Sequence, residues 1–388
     1  MNNHKIFLKD VLICSLSAYG GPEAHMSVFL DQLVSKKQYL EEDELVELIA
    51  LCSILPGPTS TQTIVATGYK VGGPKLAFLT MLVWALPVII IMTTLSFLYQ
   101  FINTLDISSK VLRFVGPMAV GFIILAAFRI GKKVVIDKLT FILMLFGALV
   151  TYFIRSPWIF PTVLLFGGVI SIVFSKETNL WNKVKIKPPW KYLILFIIFA
   201  MGTVFTANLF NFRILDLFDS FYRFGYLVFG GGQVVVPVMH GELVEVNKYL
   251  TSQEFLTGYG LVQGMPGPLF SFSAYAGGMA AREFSTLYQI LSALVSALGI
   301  FLPGLLLIYF IYPVWENIKK IKAIKISLKG INAIAGGLIA IAAVILMQKS
   351  GFTIENIFVT IITILLLGSK KIPAPIIVLA TLIAGYVI

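Results

Sequence analysis

Two Pro-Gly-Pro motifs, each inside an apolar stretch, are the residues of this sequence best suited to binding chemistry. Hydroxyl side chains follow both motifs, and proline fits the first turn of a helix, so each motif predicts that one helix ends and another begins. The free amide groups and the positive dipole end of a helix start favour an anion. The predicted anion-binding residues are the motifs and the polar residues after them: Pro56, Gly57, Pro58, Thr59, Ser60, Thr61 and Gln62 in the first copy, and Pro266, Gly267, Pro268, Ser271 and Ser273 in the second.

Paired glycines lie upstream of both motifs. Gly20 and Gly21 precede the first motif, and Gly230 and Gly231, with Gln233 just after them, precede the second. Each pair either adds amide groups to an anion site or allows helices to pack closely. We include all five residues in the predicted substrate site. The alternative for the hydroxyl groups is that they bond the carbonyls of their own helices.

Membrane helices are the elements that must position these residues. With 58% hydrophobic and 13% charged residues among 388, the chain has more apolar surface than a water-soluble domain can bury. Apolar runs of helical length recur, and the short alternating segments of an outer-membrane barrel do not, so the predicted fold class is an all-α polytopic membrane protein. The first residues lack a signal cleavage pattern and are interpreted as a membrane element. The predicted continuous spans are 75–102, 114–131, 138–154, 157–175, 190–211, 286–313, 330–348, 353–367 and 372–388.

An internal repeat organises these helices, since a shift of 210 residues places Gly20 on Gly230 and Pro56 on Pro266 without gaps. Each half contains an even number of crossings, so the additional helix near 190–211 inverts the second half. The result is two inverted repeats with helices broken at Gly-Gly and Pro-Gly-Pro, which is typical of secondary transporters. The predicted division is an N-terminal repeat at 1–176, a linker with one transmembrane helix at 177–212, and a C-terminal repeat at 213–388.

The basic residues set the predicted orientation. Most Lys and Arg fall on the cytoplasmic side when the N-terminus is cytoplasmic and the C-terminus is outside. This bias also explains the net charge of +11 without nucleic acid or an acidic partner.

Ionisable residues near the breaks are candidates for ion coupling, because charge inside a membrane is costly. Glu23 follows the first glycine pair, whereas the matching Gln233 is neutral, so Glu23 is predicted to carry a proton; a solvated carboxylate at a helix N-terminus explains it equally well. Arg223 is predicted to supply positive potential, with a snorkelling interfacial arginine as the alternative. Glu44 and Glu254 are predicted to cap helices, and the TSQE pattern at 251–254 fits a capping box. The other arginines considered for a positive potential are Arg113, Arg129 and Arg282.

Other chemistries lack the residues that they need. Cys14 and Cys52 have no CxxC spacing and are predicted to be packing residues. His25 and His240 match no metal motif, and no nucleophile is spaced with a base for a membrane enzyme. We therefore expect no metal, no cofactor and no catalysis. A passive anion channel remains the alternative to a transporter, and a homodimer is left open.

The motifs together resemble a known family. YGGPEAHMSVF and LVELIALCSILPGPTSTQ in the first half, and FGGGQVVVPVM and YGLVQGMPGPLFSFSAYAGG in the second, are similar to stretches of the long-chain, two-domain chromate ion transporters. The resemblance implies a bacterial inner-membrane antiporter that exports chromate, is coupled to the proton gradient, and accepts sulfate as a similar competitor. Tyr19, Glu23 and His25 depart from the family pattern, which bears on ion coupling and not on the fold. The predicted mechanism is alternating access about a midplane site formed by the two Pro-Gly-Pro helix starts.

Overall fold

The chain folds into helices, and its described residues contain no β-strand. The computed structural model describes residues 2–103, 108–154, 159–181, 187–210, 212–227 and 235–387. Two π-helices span Leu30–Lys36 and Gly241–Val246, and two 3₁₀ turns span Leu269–Ser271 and Tyr312–Val314. The α-helices in chain order are α1 (Asn2–Ser17), α2 (Pro22–Phe29), α3 (Glu42–Ile54), α4 (Thr59–Asn103), α5 (Ser108–Val111), α6 (Val115–Val134), α7 (Lys138–Phe153), α8 (Ile159–Val173), α9 (Trp190–Phe210), α10 (Arg213–Leu227), α11 (Val236–His240), α12 (Ser252–Val262), α13 (Phe272–Ala280), α14 (Thr286–Ile311), α15 (Trp315–Ile318), α16 (Lys322–Ser350), α17 (Ile354–Gly368) and α18 (Ala374–Val387).

Long apolar helices dominate the fold. Four shorter apolar helices, α7, α8, α17 and α18, accompany them, and all of these helices overlap the spans predicted from sequence. Large apolar side chains on the outer helices, such as Met201 and Phe205 of α9, are exposed, as expected for helices that face lipid. The prediction of an all-α membrane protein is confirmed. The stretches long and apolar enough to cross a membrane are Thr59–Phe101, Val115–Val134, Trp190–Ala207, Thr286–Ile318 and Lys322–Ser350.

Both Pro-Gly-Pro motifs lie between helices. The first separates α3 from α4, and the second separates α12 from the turn that begins at Leu269. The central glycines, Gly57 and Gly267, have φ angles of 133° and 90°, in a region where other residues are strained. Helical structure begins one residue after the second proline of each motif, at Thr59 and Leu269, instead of at the proline itself.

The segments before the two motifs have the same local structure. Each π-helix is followed by a non-glycine residue in the left-handed region, Gln38 with φ 52° and Lys248 with φ 53°. The amide N–H of the next residue, Tyr39 or Tyr249, donates back to a carbonyl of the π-helix at 2.9 and 2.8 Å. A helix with a capping box then follows in both places. These matching features lie 210 residues apart in the chain.

Helices from the two halves of the chain pack against each other. The long helix α4 contacts α1 and α3, and it also contacts α13 and α14. It changes direction at Gly72 and Gly73, whose φ and ψ angles are not helical. The helix α16 packs on α6, α7 and α8. A cluster of buried apolar side chains runs through these contacts, so the starts of α4 and of the 269–271 turn lie inside the packed protein.

Candidate functional site

The start of α4 is buried and rich in hydrogen-bonding groups. Ser60, Thr61 and Gln62 are buried, whereas Thr59 is partly exposed. The indole Nε1–H of Trp84 donates to Thr61 Oγ1 at 3.1 Å. The first amide groups of a helix have no carbonyl one turn earlier to bond, so those at the start of α4 are available to a ligand. This part of the site therefore presents backbone donors in a water-poor environment.

Gln62 closes the Pro-Gly-Pro loop from inside the helix. Its Nε2 group donates to the carbonyl oxygen of Pro56 at 2.9 Å. A methyl group added at Gly57 would lie 2.5 Å from that same Nε2 atom. The Oε1 atom of Gln62 is buried and has no hydrogen-bond partner among the described residues. Gln62 thus fixes the loop conformation and leaves one acceptor unused.

His25 of α2 lies beside the same helix start. Its ring is buried, and Nδ1 is 3.0 Å from the hydroxyl oxygen of Ser60. The imidazole packs edge to face on Trp84, with 5.4 Å between ring centroids. Its Nε2 atom is buried without a hydrogen-bond partner in the described part of the chain. An unpaired buried nitrogen is costly unless something binds it, so Nε2 is a candidate ligand-binding atom.

The second helix start also contains unpaired polar atoms. Ser271 and Ser273 are fully buried, and their hydroxyl oxygens have no partner among the residues that the structure describes. The amide N–H of Gly267 donates to the carbonyl oxygen of Ala18, at the end of α1, at 2.7 Å. This bond ties the second Pro-Gly-Pro loop to the segment that carries the first glycine pair.

The segment formed by Gly21 and helix α2 lies beside both starts. A methyl group added at Gly21, which precedes α2, would lie 3.7 Å from Leu269 Cδ1, and His25, about one turn further along, contacts Ser60. Helix α14 also contacts both, since its Gly304 lies against Gln62 and it packs on the 269–271 turn. Unpaired buried polar groups of both halves are therefore gathered around α2 and α14. Hydroxyl groups, amide groups and an imidazole suit the oxygen atoms of an oxyanion.

Three predicted site residues and the side chain of a fourth lie outside the described part of the chain. Gly230, Gly231 and Gln233 fall in 228–234, outside the described residues. Glu23 lies in the first turn of α2, but its side chain is also outside the description. Gly20 is described, with φ 85°. The expected roles of these residues stay predictions.

Arg223 forms ion pairs with two acidic residues. Its guanidinium group lies 2.6 Å from an oxygen of Glu242 and 3.1 Å from an oxygen of Asp219. Two negative charges compensate its positive charge, so the described structure gives it no excess positive potential to offer an anion.

The other candidate arginines are also engaged. Arg113 pairs with Glu355, Arg129 donates to the carbonyl of Leu367, and Arg282 donates to the carbonyl of Tyr249 at 2.8 Å.

The acidic residues considered as caps have that role. The amide N–H of Glu41 donates to Glu44 Oε2 at 2.8 Å, and that of Thr251 donates to Glu254 Oε2 at 2.8 Å. Both capping predictions are confirmed.

Cys14 and Cys52 are buried and free, as packing residues should be. No group of three or more His, Cys, Asp or Glu side chains that could hold a metal was found within the described ranges.

Sequence reasoning missed two residues of this site. From the sequence, His25 is a departure from the family pattern that matches no metal motif, and Trp84 is not a candidate residue. Both residues carry a ring nitrogen that can form a hydrogen bond, and both lie in an apolar segment close to a glycine or proline break. This combination is the sequence signal that could have identified them as site residues. The sequence does not predict that α2 contacts the start of α4.

Comparison with known proteins identifies a family and several relatives that align over nearly the whole chain. The profile of a family described as "Chromate transporter" matches residues 6–173 and 215–386. A "Probable chromate transport protein" of Synechococcus elongatus is 27% identical over 95% of this chain and 91% of its own length. A "Chromate transport protein" of Cupriavidus metallidurans is 26% identical over 95% of this chain and 89% of its own. An uncharacterized transporter of Methanocaldococcus jannaschii is 24% identical over 96% of this chain and 91% of its own length. No solved structure matches the chain.

Proposed function

The chain belongs to the chromate transporter family, and on this premise we propose that it carries chromate, a tetrahedral dianion, across a membrane. The observation that carries the proposal is that the family match covers both halves of the chain, including both Pro-Gly-Pro motifs. The relatives whose names include chromate transport align over nearly their whole length, which supports an activity of the entire molecule. No enzymatic role is part of the proposal.

The proposed binding site lies between the two helix starts. The donors are the first amide groups of α4, Nε2 of His25, and the hydroxyl groups of Ser271 and Ser273. The burial of these polar atoms without partners supports the assignment, because a buried polar atom lacking a hydrogen bond costs about 1–3 kcal/mol. An oxyanion with four acceptor oxygens would satisfy them together. Sulfate has the same shape and charge, so we propose that it competes.

Alternating access is the proposed mechanism. The matching π-helices, left-handed residues and capping boxes 210 residues apart support an internal repeat, and the helical break at each Pro-Gly-Pro motif supports discontinuous helices. Inverted orientation of the two repeats remains part of the proposal, as do a cytoplasmic N-terminus and the division at 1–176, 177–212 and 213–388. In such transporters one repeat moves against the other about a central site.

The membrane potential favours export of the anion. An inside-negative potential of 100 mV favours the exit of one negative charge by about 2.3 kcal/mol, and hence of a dianion by about 4.6 kcal/mol. Export is therefore electrically favourable, and exchange against protons would add the energy of the pH gradient. We propose export on this ground, and we propose coupling to the proton gradient because the family resemblance implies it.

Transport by the purified full-length chain in liposomes tests the proposal. Chromate should enter protein-containing vesicles faster than empty ones, excess sulfate should compete, and collapse of the proton gradient should slow net accumulation. Chromate flux that does not depend on the proton gradient would indicate a channel. Flux equal to that of empty vesicles would refute the proposed function.

Serine variants test the site itself. Ser60→Ala removes the hydroxyl that lies 3.0 Å from His25 Nδ1, and Ser273→Ala removes one of the proposed donors, so both variants should reduce chromate transport. Ser53→Ala, at an exposed serine bonded to its own helix, should not. Equal transport by all three variants would show that the site is elsewhere.

A further inference from the structure

Two neighbouring glycines let α13 pack closely on two other helices, and a serine lies at each contact. A methyl group added at Gly277 would lie 2.1 Å from the hydroxyl oxygen of Ser296 on α14. One added at Gly278 would lie 2.5 Å from the hydroxyl oxygen of Ser96 on α4. Helix α13 therefore fits between α4 and α14 because it has no side chain at these two positions.

The hydroxyl groups along the contact of α13 with α14 lack hydrogen bonds. Ser292 lies one turn before Ser296 on α14, and Ser273 lies one turn before Gly277 on α13, so each pair shares one face of its helix. The three serines are fully buried, and their hydroxyl oxygens have no partner among the described residues. We call Ser273, Gly277, Ser292 and Ser296 the serine seam.

Hydroxyl groups at other places in the apolar helices bond their own backbone. Thr151 of α7, Thr363 of α17 and Thr381 of α18 each donate to the carbonyl oxygen four residues earlier, at 2.6 to 2.8 Å. This bond is a common way to satisfy a hydroxyl group inside a membrane helix. The seam serines do not form it. Close packing does not explain their presence, because alanine packs as closely and leaves no polar atom without a partner.

The matching helices of the first half have the opposite arrangement. The shift of 210 residues places Thr63 on Ser273. Gly68, which matches Gly278, packs on the part of α4 beyond its kink, where an added methyl group would lie 2.3 Å from Thr80 Oγ1. Thr63 and Thr80 donate to carbonyl oxygens four residues earlier, at 2.8 and 2.7 Å. Two helix pairs of similar construction thus differ in their hydroxyl groups, which are bonded in the first half and unpaired in the second.

The serine seam lies between the proposed anion site and the protein surface. Ser273, at its inner end, is one of the proposed anion donors. Towards the other end, the Nε2 group of the buried Gln289 donates to the hydroxyl oxygen of Ser96 at 3.4 Å. Residues 283–287, which join α13 to α14 and begin α14, are exposed. Polar groups therefore continue from the site to an exposed loop.

We infer that the serine seam is a passage for the anion between its binding site and one face of the membrane, closed in this structure and opened when α13 moves away from α14. The inference rests on the proposed function for the identity of the solute. Opening would give the seam hydroxyl groups partners in water and in the oxygen atoms of the anion. These hydrogen bonds would offset the loss of helix packing, as a protein that alternates between two states requires.

Labelling of introduced cysteines tests the passage without measuring transport. In liposomes, full-length Ser292→Cys and Ser296→Cys should react with a small water-soluble methanethiosulfonate, because water enters the seam when it opens. Thr363→Cys, at a buried residue of α17 away from the seam, should remain unlabelled. The wild type, whose two cysteines are buried, gives the background. Seam cysteines that stay unlabelled like Thr363→Cys would overturn the inference.

Comparison of transport with binding tests the role of the seam hydroxyl groups. Ser292→Ala and Ser296→Ala each remove one hydrogen bond to the passing anion and should slow chromate transport about tenfold. Both variants should bind chromate like the wild type in titration calorimetry, because these serines lie outside the proposed binding site. Thr363→Ala, which removes a buried hydroxyl group bonded to its own helix, should change neither quantity.

The outcomes of these experiments separate the passage from the proposed function. Transport at the wild-type rate by both serine variants would overturn the passage. Weakened binding of chromate by both would assign the serines to the binding site and would also overturn it. If the wild type moves no chromate, the proposed function fails, and cysteine labelling still decides whether the seam opens to water.

Discussion

Replacing Gly57 by alanine is a direct test of how the first Pro-Gly-Pro loop is built. Gly57 has φ 133°, outside the regions that an L-residue adopts without strain, and the new methyl group would lie 2.5 Å from Gln62 Nε2. The methyl group must therefore push the Gln62 side chain away from the carbonyl of Pro56, to which it donates a hydrogen bond. Backbone strain and a broken buried bond should act together.

The expected loss in the free energy of unfolding is the sum of these two effects. A non-glycine residue in such a backbone region costs about 1–3 kcal/mol. Loss of one hydrogen bond adds about 1 kcal/mol. We expect Gly57→Ala to lower the free energy of unfolding by about 2–4 kcal/mol. In a Gln62→Ala background the bond is already absent and the collision is relieved, so only the backbone term should remain.

Thermal unfolding of the detergent-solubilised protein measures this effect. Gly57→Ala should melt several degrees below the wild type, and its effect should be smaller in the Gln62→Ala background. Gly202→Ala is the matched control, because a methyl group there meets nothing within 4 Å and glycine is unfavourable inside a helix. Equal melting temperatures for Gly57→Ala and the wild type would refute the proposed loop geometry.

Two further predictions concern single hydrogen bonds. Trp84→Phe keeps an aromatic ring but removes the donor to Thr61, so it should destabilise the protein by about 1–2 kcal/mol in a melting experiment, while Trp181→Phe, at an exposed site, should have no effect. Asp137→Ala removes the cap of α7 and should cost about 1 kcal/mol. Because the amide and hydroxyl of Thr140 hold the pKa of Asp137 below its usual range, this difference should be present at neutral pH and shrink as the pH falls below about 4; a difference that grows in acid would contradict the assignment.

Local sequence patterns predicted much of the fold. Apolar runs located α9 and α14 to within a few residues, and the TSQE pattern predicted the capping box at Thr251 because capping depends only on neighbouring residues. The two π-helices were not predicted, since they replace part of an ordinary helical pattern and have no separate signal in the sequence. The non-helical residues Gly72 and Gly73 likewise fell at the edge of a predicted span.

Contacts between distant segments could not be predicted in the same way. Arg223 was interpreted either as a source of positive potential or as a snorkelling residue, and its acidic partner Glu242 lies 19 residues away on another helix. Asp10 is buried and accepts hydrogen bonds from Gln32 and Tyr39, which lie 22 and 29 residues further along the chain. Burial of a charge depends on which elements meet, and a single sequence does not specify that.

Direct binding of chromate to the purified protein tests the central claim, that helix starts from both halves form one oxyanion site. By titration calorimetry, Ser60→Ala and Ser273→Ala should each weaken the binding of chromate, the double variant should be weaker still, and Ser53→Ala should bind like the wild type. Affinity that depends on only one of the two helix starts, or on neither, would contradict the shared site.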